Sequence, residues 1–411
     1  MTITSNSIAG GKNSDGAKWV TDWVIPRFVE KMKKEGKTAH VTFQPSGVDD
    51  EQYKSKLELA LQARGGADII AIDGIWVGEF AQANYIADLN KVVGNQADKW
   101  DGWKQIPPAV QTVMNYQGKR YGVPQGTDGR VLFFNKQLFQ QAGLPADWQP
   151  KTWDDIISAG QKLKTLPGVT PIQINAGTAM GEATTMQGVL PLLAGTGRPI
   201  YANGKWQGDS EQIKDVLGFY QKIYGGSGLG DGKLQQEAQG RSESFTEFSQ
   251  NKIGILLESD YLWRGVLDPK AGVAPMANRD QVVGWAKIPS MKAKSGFKNQ
   301  DYVSMSGGSG WVVNANTKYP QQAWQLLQFM GSKEAVLASL NGAVKISPRD
   351  DVNRQVVSTD PMLNYIATQV LPLTAFRPGL ADYPKVSTLL QQATADVVAG
   401  KSPDDAAKAY A

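Results

Sequence analysis

Apolar residues recur along this chain in two alternating rhythms. Near the start, residues 3–5 read as a short strand, and 6–16 form a polar, glycine-rich loop. Trp19, Val20, Trp23, Val24 and Phe28 then fall on one helical face, with Pro26 placed to kink or restart the helix. Between residues 38 and 44, Ala39, Val41 and Phe43 alternate with His40, Thr42 and Gln44, the period of two that marks a strand. Tyr53, Leu57, Ala60 and Leu61 return to helical spacing until Gly65-Gly66 ends the helix, and 67–72 is a buried-type strand ending at Asp73. Strand-helix-strand order predicts a parallel sheet with helices on its faces. Ligands gather at the carboxyl ends of such strands, where Asn6 and Asp73 fall.

A second region begins near Thr127. Its strands are predicted at 131–135, 253–257 and 311–313, and a helix from Lys136 ends at Gly143. Thr152-Trp-Asp-Asp155 has the form of a capping box, opening a helix that runs through Leu163. Further helices are expected at 188–193 and 212–224, around Ala323, Trp324, Leu327 and Met330, and over much of 362–410. With 411 residues, the chain is too long for one core and reads as two lobes.

Composition narrows the chemistry. Hydrophobic residues make up 41% and charged residues 20%, as in ordinary globular proteins, and no run approaches the ~18 apolar residues of a membrane span. The chain opens at Met1-Thr-Ile-Thr with no signal peptide visible, so an export segment is either absent or removed. The net charge of +4 is scattered apart from Lys31, Lys33 and Lys34, a solvated helix face, which argues against a nucleic-acid partner. The absence of cysteine excludes thiol nucleophiles and disulfides. His40 is the single histidine, so a Ser-His-Asp triad would have to use it and a multi-histidine metal site is impossible. It is read as a surface residue on the polar face of its strand. Neither metal nor cofactor is expected.

Trp76, Trp206, Trp263 and Trp285 sit in loops or at element ends beside polar residues, the setting in which an exposed ring can pack on the C–H face of a sugar. Trp19, Trp23 and Trp324, at helical spacing, are assigned to the core. The adjacent pairs Asp49/Asp50, Asp154/Asp155, Asp350/Asp351 and Asp404/Asp405 mostly begin helices, where acidic residues act locally. A glycosidase would need two carboxylates across a cleft at roughly 5–9 Å, and the sequence singles out no such pair. Gly225-Gly-Ser-Gly228 and Gly307-Gly-Ser-Gly310 lack the Lys-Ser/Thr of a phosphate loop. The first reads as a loop, and the second leads into a strand where bare backbone could approach a ligand.

Four segments, in order and over nearly the whole chain, resemble the extracellular sugar-binding proteins of ABC importers. They are Tyr53 through Leu89, with Asp73, Trp76 and Phe80; Gly118-Lys-Arg-Tyr-Gly-Val-Pro124 through Leu132-Phe-Phe-Asn-Lys136 to Thr152-Trp153; Phe248 through Trp263; and Gly307-Gly308 through Trp324. The resemblance implies an α/β, two-lobed periplasmic-binding-protein fold, each lobe a helix-covered, mainly parallel sheet, with hinge closure on a sugar in the cleft. It places the lobes at residues 1–126 plus 292–330 and 127–291 plus 331–411, with crossings near Thr127, 289–300 and Met330. It also implies a monomer in the periplasm or anchored at the outer face of the membrane, a small carbohydrate ligand, and permease subunits as partners.

Carried over residue by residue, the family's contacts fall on Asn6, Asp73, Trp76, Asp128, Trp263, Gly307, Gly308 and Arg377, with Arg130, Tyr261, Trp285 and Arg349 as weaker candidates. Where the family carries tyrosines, this strand reads Leu132-Phe-Phe-Asn135, which costs little if those rings enter the core. Asp128-Gly-Arg130, Trp206 and Glu258-Ser-Asp-Tyr261 resemble the α-glucoside-binding branch, leaving trehalose, sucrose, maltose-type sugars and glucosylglycerol open. The alternatives are a glycoside hydrolase using a pair such as Asp73 and Asp128, and a solute receptor signalling to a membrane sensor. On the sequence alone, Trp263→Ala is expected to weaken sugar binding by ~1–3 kcal/mol in calorimetry with the fold intact.

Overall fold

In the computed structural model, which describes residues 1–48, 50–226 and 228–411, the chain forms two units. Asp49 and Ser227, from the acidic pair and the first glycine run noted above, lie outside the described residues. One unit contains Met1–Thr127, Gly307–Ala367 and Gly379–Ala381; the other contains Asp128–Ser306, Thr368–Pro378 and Asp382–Ala411.

Thr127 and Gly379–Ala381 fall in the first unit rather than the second, and two longer stretches also differ from the expected divisions. Residues 292–306 stay with the second unit because Tyr302–Ser306 pairs with Ile288–Pro289 on one side and Thr374–Phe376 on the other. Residues 331–367 stay with the first. There the Trp19 indole donates to Ala335 O at 2.9 Å, and Val336, Leu340 and Val352 bury one another.

The first unit's sheet runs in the order Thr42–Pro45, Thr2–Ser5, Ile69–Asp73, Gly308–Val313, Gly122–Thr127. The first three strands are parallel, and Gly308–Val313 is antiparallel to both its neighbours. A strand that enters from the other unit has no helical crossover to force it parallel, so this one strand is reversed while the other four run the same way, as expected of a mainly parallel sheet. The register sets Ser309 opposite Asp73 and Gly308 opposite Thr127. The carboxyl ends of four strands and the start of the fifth therefore share one edge.

Local sequence accounts for the elements around this sheet. The first helix runs as Ser14–Lys18, a wide π turn at Trp19–Val24, and Ile25–Lys34 with Pro26 in its first turn. Proline has no N–H to give the preceding turn, and the widened turn absorbs the mismatch, which is the predicted restart. Val20, Val24 and Phe28 are buried beneath it, whereas Trp23 is half-buried against Phe329. The predicted strand at 38–44 shortens to Thr42–Pro45 because its ladder with Thr2–Ser5 starts at Thr42. His40 is exposed, as expected.

In the second unit the order is Val283–Ala286, Arg130–Asn135, Ile253–Ser259, Thr170–Gln173. Arg130–Asn135 is antiparallel to both neighbours and buried at every position, while Ile253–Ser259 and Thr170–Gln173 are parallel. Phe133 and Phe134 do enter the core, Phe134 with its ring 4.7 Å from that of Phe139. Asn135 then caps the Lys136–Gln141 helix, its Oδ1 accepting from Gln137 N and Leu138 N at 3.0 Å each. The predicted capping box is present at Trp153–Leu163, where Lys151 N and Thr152 N donate to Asp155 Oδ2. Among the described residues no helix is long and apolar enough to cross a membrane.

Asn135 is buried and also donates to Asn251 Oδ1 at 2.7 Å, so it serves a strand, a helix start and a neighbouring turn together. Asn135→Ala should lower stability by about 2 kcal/mol in chemical denaturation, and Asn135→Asp, which keeps the acceptor, by less.

Candidate functional site

The strand-end edge of the first unit carries Asn6, Asp73 and Gly308. Asp73 ends its strand and uses Oδ1 to accept from Ile75 N at 3.0 Å, which caps the turn Gly74–Trp76. That turn carries Trp76 inward. Its indole is 7% exposed and packs between Tyr53 and Phe80, with ring centroids at 6.3 and 6.2 Å. Trp76 is a core residue, not the exposed ring expected, because its cap turns it beneath the edge. Asn6 donates to Val48 O at 2.9 Å and Asp50 Oδ1 at 2.8 Å and accepts from Val48 N at 3.2 Å. Its amide ties two strand-end loops together.

Gly307 is the first residue of the returning segment, and Gly308 needs its missing side chain for a reason internal to the unit. A Cβ at Gly308 would lie 2.8 Å from Val113 Cγ2 and 3.0 Å from Gly126 O. Arg349 is 6% exposed and fully engaged. It donates to both oxygens of Asp351 at 2.9 and 2.7 Å and to Gly331 O at 2.9 Å. Gly331 packs on Val123, near the beginning of the Gly122–Thr127 strand and away from its Thr127 end. Arg349 is therefore a structural clamp, apart from the edge that carries Asn6 and Asp73.

The second unit concentrates charge at a strand-end edge of its own sheet. Antiparallel register puts Arg130 opposite Ser259, the last residue of the fully buried Ile253–Ser259 strand. Arg130 pairs with Asp128 and also donates to Gln187 Oε1 at 3.0 Å and Met305 O at 3.2 Å, so this buried guanidinium is consumed inside the unit. Immediately beside it, Asp260 N donates to Gly129 O at 3.0 Å, while its carboxylate accepts from Gly129 N through Oδ1 at 3.1 Å and from Arg264 Nε through Oδ2 at 2.7 Å. Glu258, also buried, accepts Arg241 Nε and Nη2 at 2.7 and 2.8 Å, Ser259 N at 3.0 Å and Asn175 Nδ2 at 3.3 Å. Burial raises the Asp260 carboxyl above its ordinary value; Arg264 opposes that rise and the nearby charge of Asp128 adds to it.

Aromatic side chains divide differently from expectation. Trp263 is 2% exposed, meets Trp285 edge-to-face at 5.3 Å, and has the Arg279 guanidinium 3.7 Å over its ring. A short wide turn at Leu262–Val266 folds it into the unit, so it is not an open stacking platform. Trp285 is half-buried, with Lys136 Nζ 5.9 Å from its ring, and Trp206 is half-buried against Tyr201. Tyr261, next to Asp260, is the exposed ring of this group at 37%. Arg377 donates to Glu182 Oε1 at 3.0 Å, and the same carboxylate receives Tyr383 Oη and Ser387 Oγ at 2.6 Å each. Burial first, and then Glu182, push the Tyr383 phenol well up.

The structure thus groups Asp128, Arg130 and Tyr261 on one edge and Asn6, Asp73 and Gly308 on another. Sequence reasoning assigned no role to Glu182, Gln187, Arg241 or Arg264. Glu258 and Asp260 had a usable signal, since both follow an apolar strand at its carboxyl end. Arg241, 17 residues upstream on the helix Gly240–Ser249, had none. Among the described residues no three His, Cys, Asp or Glu side chains group as a metal ion would need.

Two mixed α/β units with polar strand-end edges define a solute-binding architecture, and the chain belongs to the bacterial extracellular solute-binding protein family, which its residues 13–337 match. A binding protein of Brucella abortus (strain 2308) is 22% identical over 389 residues, 92% of this chain and 86% of its own length. Two solved structures share the fold. The sugar-binding protein MalE from Xanthomonas citri has a TM-score of 0.78 at 18% identity, covering 100% of this chain and 94% of that one. The cyclic alpha-maltosyl-1,6-maltose binding protein from Arthrobacter globiformis has a TM-score of 0.74 at 21% identity, covering 100% and 96%.

Two substitutions separate scaffold from edge. Trp263→Ala should cost roughly 3–5 kcal/mol of stability in chemical denaturation, replacing the fold-intact outcome expected from sequence. Arg349→Met should cost roughly 3 kcal/mol near neutral pH, because Asp351 is left without its partner. Burial pushes the Asp351 carboxyl up, but the hydrogen bonds and charge of Arg349 outweigh it and hold it below 3.8. A depressed carboxyl contributes stability above its unfolded value and loses it as pH falls through the folded one. The deficit of Arg349→Met should therefore shrink in denaturation curves taken below pH 3.8.

Proposed function

We propose that this chain is the substrate-capturing component of an ABC sugar importer, taking a small oligosaccharide or glucoside and delivering it to membrane permease subunits. The observation that carries this reading is the strand-end edge of the second unit. There Asp128, Glu258 and Asp260 each hold an arginine, and Tyr261 offers an exposed ring. Sugars present hydroxyls that need paired donors and acceptors and C–H faces that pack on aromatic rings, so such an edge suits them. The fold shared with the maltose-type binding proteins supports the same ligand class. Asp73 and Asn6 in the first unit and Asp128, Tyr261 and Arg377 in the second are proposed as contacts. An α-glucoside is the favoured ligand: trehalose, sucrose, a maltose-like sugar or glucosylglycerol. On this reading the protein works as a monomer, in the periplasm or anchored outside the membrane.

Carriage rather than hydrolysis is supported by the state of the edge carboxylates. Glycoside hydrolysis needs one carboxyl poised to donate a proton and a second free to act as base or nucleophile. Here Asp128, Glu258 and Asp260 are committed to arginines, and Asp73 caps the turn that follows its strand.

A thermal-shift screen against these four ligands, followed by calorimetry, tests the reading. A bound sugar at 100 times its Kd should add about 2.7 kcal/mol of stability and raise the unfolding temperature, with no product on chromatography. Absence of a shift with every sugar would count against the carbohydrate assignment. Sugar turnover abolished by Asp128→Ala would replace the carrier with a hydrolase.

A further inference from the structure

Arg241 and Arg264 reach the strand-end edge of the second unit from different elements, yet are held in the same way. Arg241 rises from the helix Gly240–Ser249 and is gripped by Glu258; Arg264 rises from the turn Leu262–Val266 and is gripped by Asp260. Both carboxylates are fully buried, while the arginine side chains are about one-third exposed, at 30% and 34%. The bonds to Glu258 use Arg241 Nε and Nη2, and the bond to Asp260 uses Arg264 Nε alone. Arg241 Nη1 and both Nη groups of Arg264 have no protein acceptor among the described residues. Each guanidinium also has an aromatic neighbour, Phe245 at 5.1 Å from Arg241 and Tyr261 at 5.6 Å from Arg264. A buried carboxylate and a ring together fix a long side chain that would otherwise lose much rotamer freedom on binding.

Each arginine arrives with its charge already matched. With Arg130 and Asp128, the edge carries three guanidinium–carboxylate pairs, Arg130–Asp128, Arg241–Glu258 and Arg264–Asp260. A site for a phosphorylated ligand needs surplus positive charge, because a phosphate monoester brings about −1.5 to −2 at neutral pH. Here each arginine is already matched by a carboxylate, so an incoming phosphate would give up water without any surplus positive charge to replace it. An uncharged hydroxyl meets no such penalty and accepts from the N–H groups that point away from the carboxylates.

We infer that Arg241 and Arg264 are hydroxyl-binding residues positioned by Glu258 and Asp260, and that their compensated charges make the edge selective for neutral over phosphorylated sugars. This rests on the carbohydrate reading above and goes further by naming two contacts, two positioning residues and the charge class of the ligand.

The test is calorimetry with trehalose, sucrose and maltose, each beside its 6-phosphate. The neutral sugar that binds should do so at least about 100-fold more tightly than its phosphate. Arg264→Gln should weaken neutral-sugar binding about tenfold in protein that circular dichroism shows to be folded, with the unfolding temperature of the free protein lowered because buried Asp260 loses its cation. Glu258→Gln, which leaves Arg241 uncompensated, should shift the neutral-to-phosphate preference about tenfold toward the phosphate, an outcome that a merely structural role would not produce. If Glu258→Gln does not fold, the Arg264→Gln result and the wild-type preference decide. Equal or tighter binding of a 6-phosphate, or full sugar affinity in a folded Arg264→Gln, overturns this inference alone. Binding of neither form by the wild type overturns it together with the carbohydrate assignment.

Discussion

The ladder between Arg130–Asn135 and Ile253–Ser259 is the constraint on which the second unit depends. Both strands are buried along their whole length, so a slip of one residue would carry side chains fitted to one packed face onto the other. The register that avoids this puts Arg130 beside Ser259 and Gly129 beside Asp260. Strand pairing chosen by hydrophobic burial thereby decides where the charges at the strand ends meet. Asp128, Glu258 and Asp260 come together because Leu132, Phe133, Phe134, Ile255, Leu256 and Leu257 must be dry.

Charges gathered in this way are expensive. A carboxylate as buried as Glu258 or Asp260 is tolerable only when a cation and several hydrogen bonds replace its water, and both have them. A hydrophobic pair of equal volume could serve stability as well or better, so stability alone does not account for this arrangement. Fixed dipoles and neutralised pairs suit a polyhydroxyl ligand, whose recognition depends on hydrogen-bond geometry more than on net charge. The first unit manages its edge with less charge, through the Asp73 cap and the amide of Asn6.

Much of this organisation was legible along the chain. Period-two and period-3.6 patterns located the strands at Asp73, Asn135 and Glu258 and the helices between them, since burial of one face imposes those periods directly. Pro26, the Asp155 cap and Asn135 acted as local signals because their effects reach only a turn away. Exposure of single side chains was not legible. Trp76 and Trp263 stand among polar neighbours in sequence, yet short turns carry both into cores. Arg349 has Asp351 two residues away as a visible partner, but only the fold buries the pair and brings Gly331 O to it.

By itself the sequence determined the α/β class, the polar character of the strand ends and, through the order of its motifs, the solute-binding family. Those properties follow from short-range periodicity and from residue identity at strand termini. The tertiary structure alone decided which polar residues are scaffold and which face outward, turning Arg130 and Arg349 into internal clamps and bringing Arg241 and Arg264 to the edge. The physical reason is that burial and distant partners depend on distance in space. Arg241 meets Glu258 across 17 residues, Arg349 meets Gly331 O across 18 and Arg130 meets Gln187 across 57, all set by how helices pack on a sheet. Even the local Arg264–Asp260 pair takes its burial from that packing.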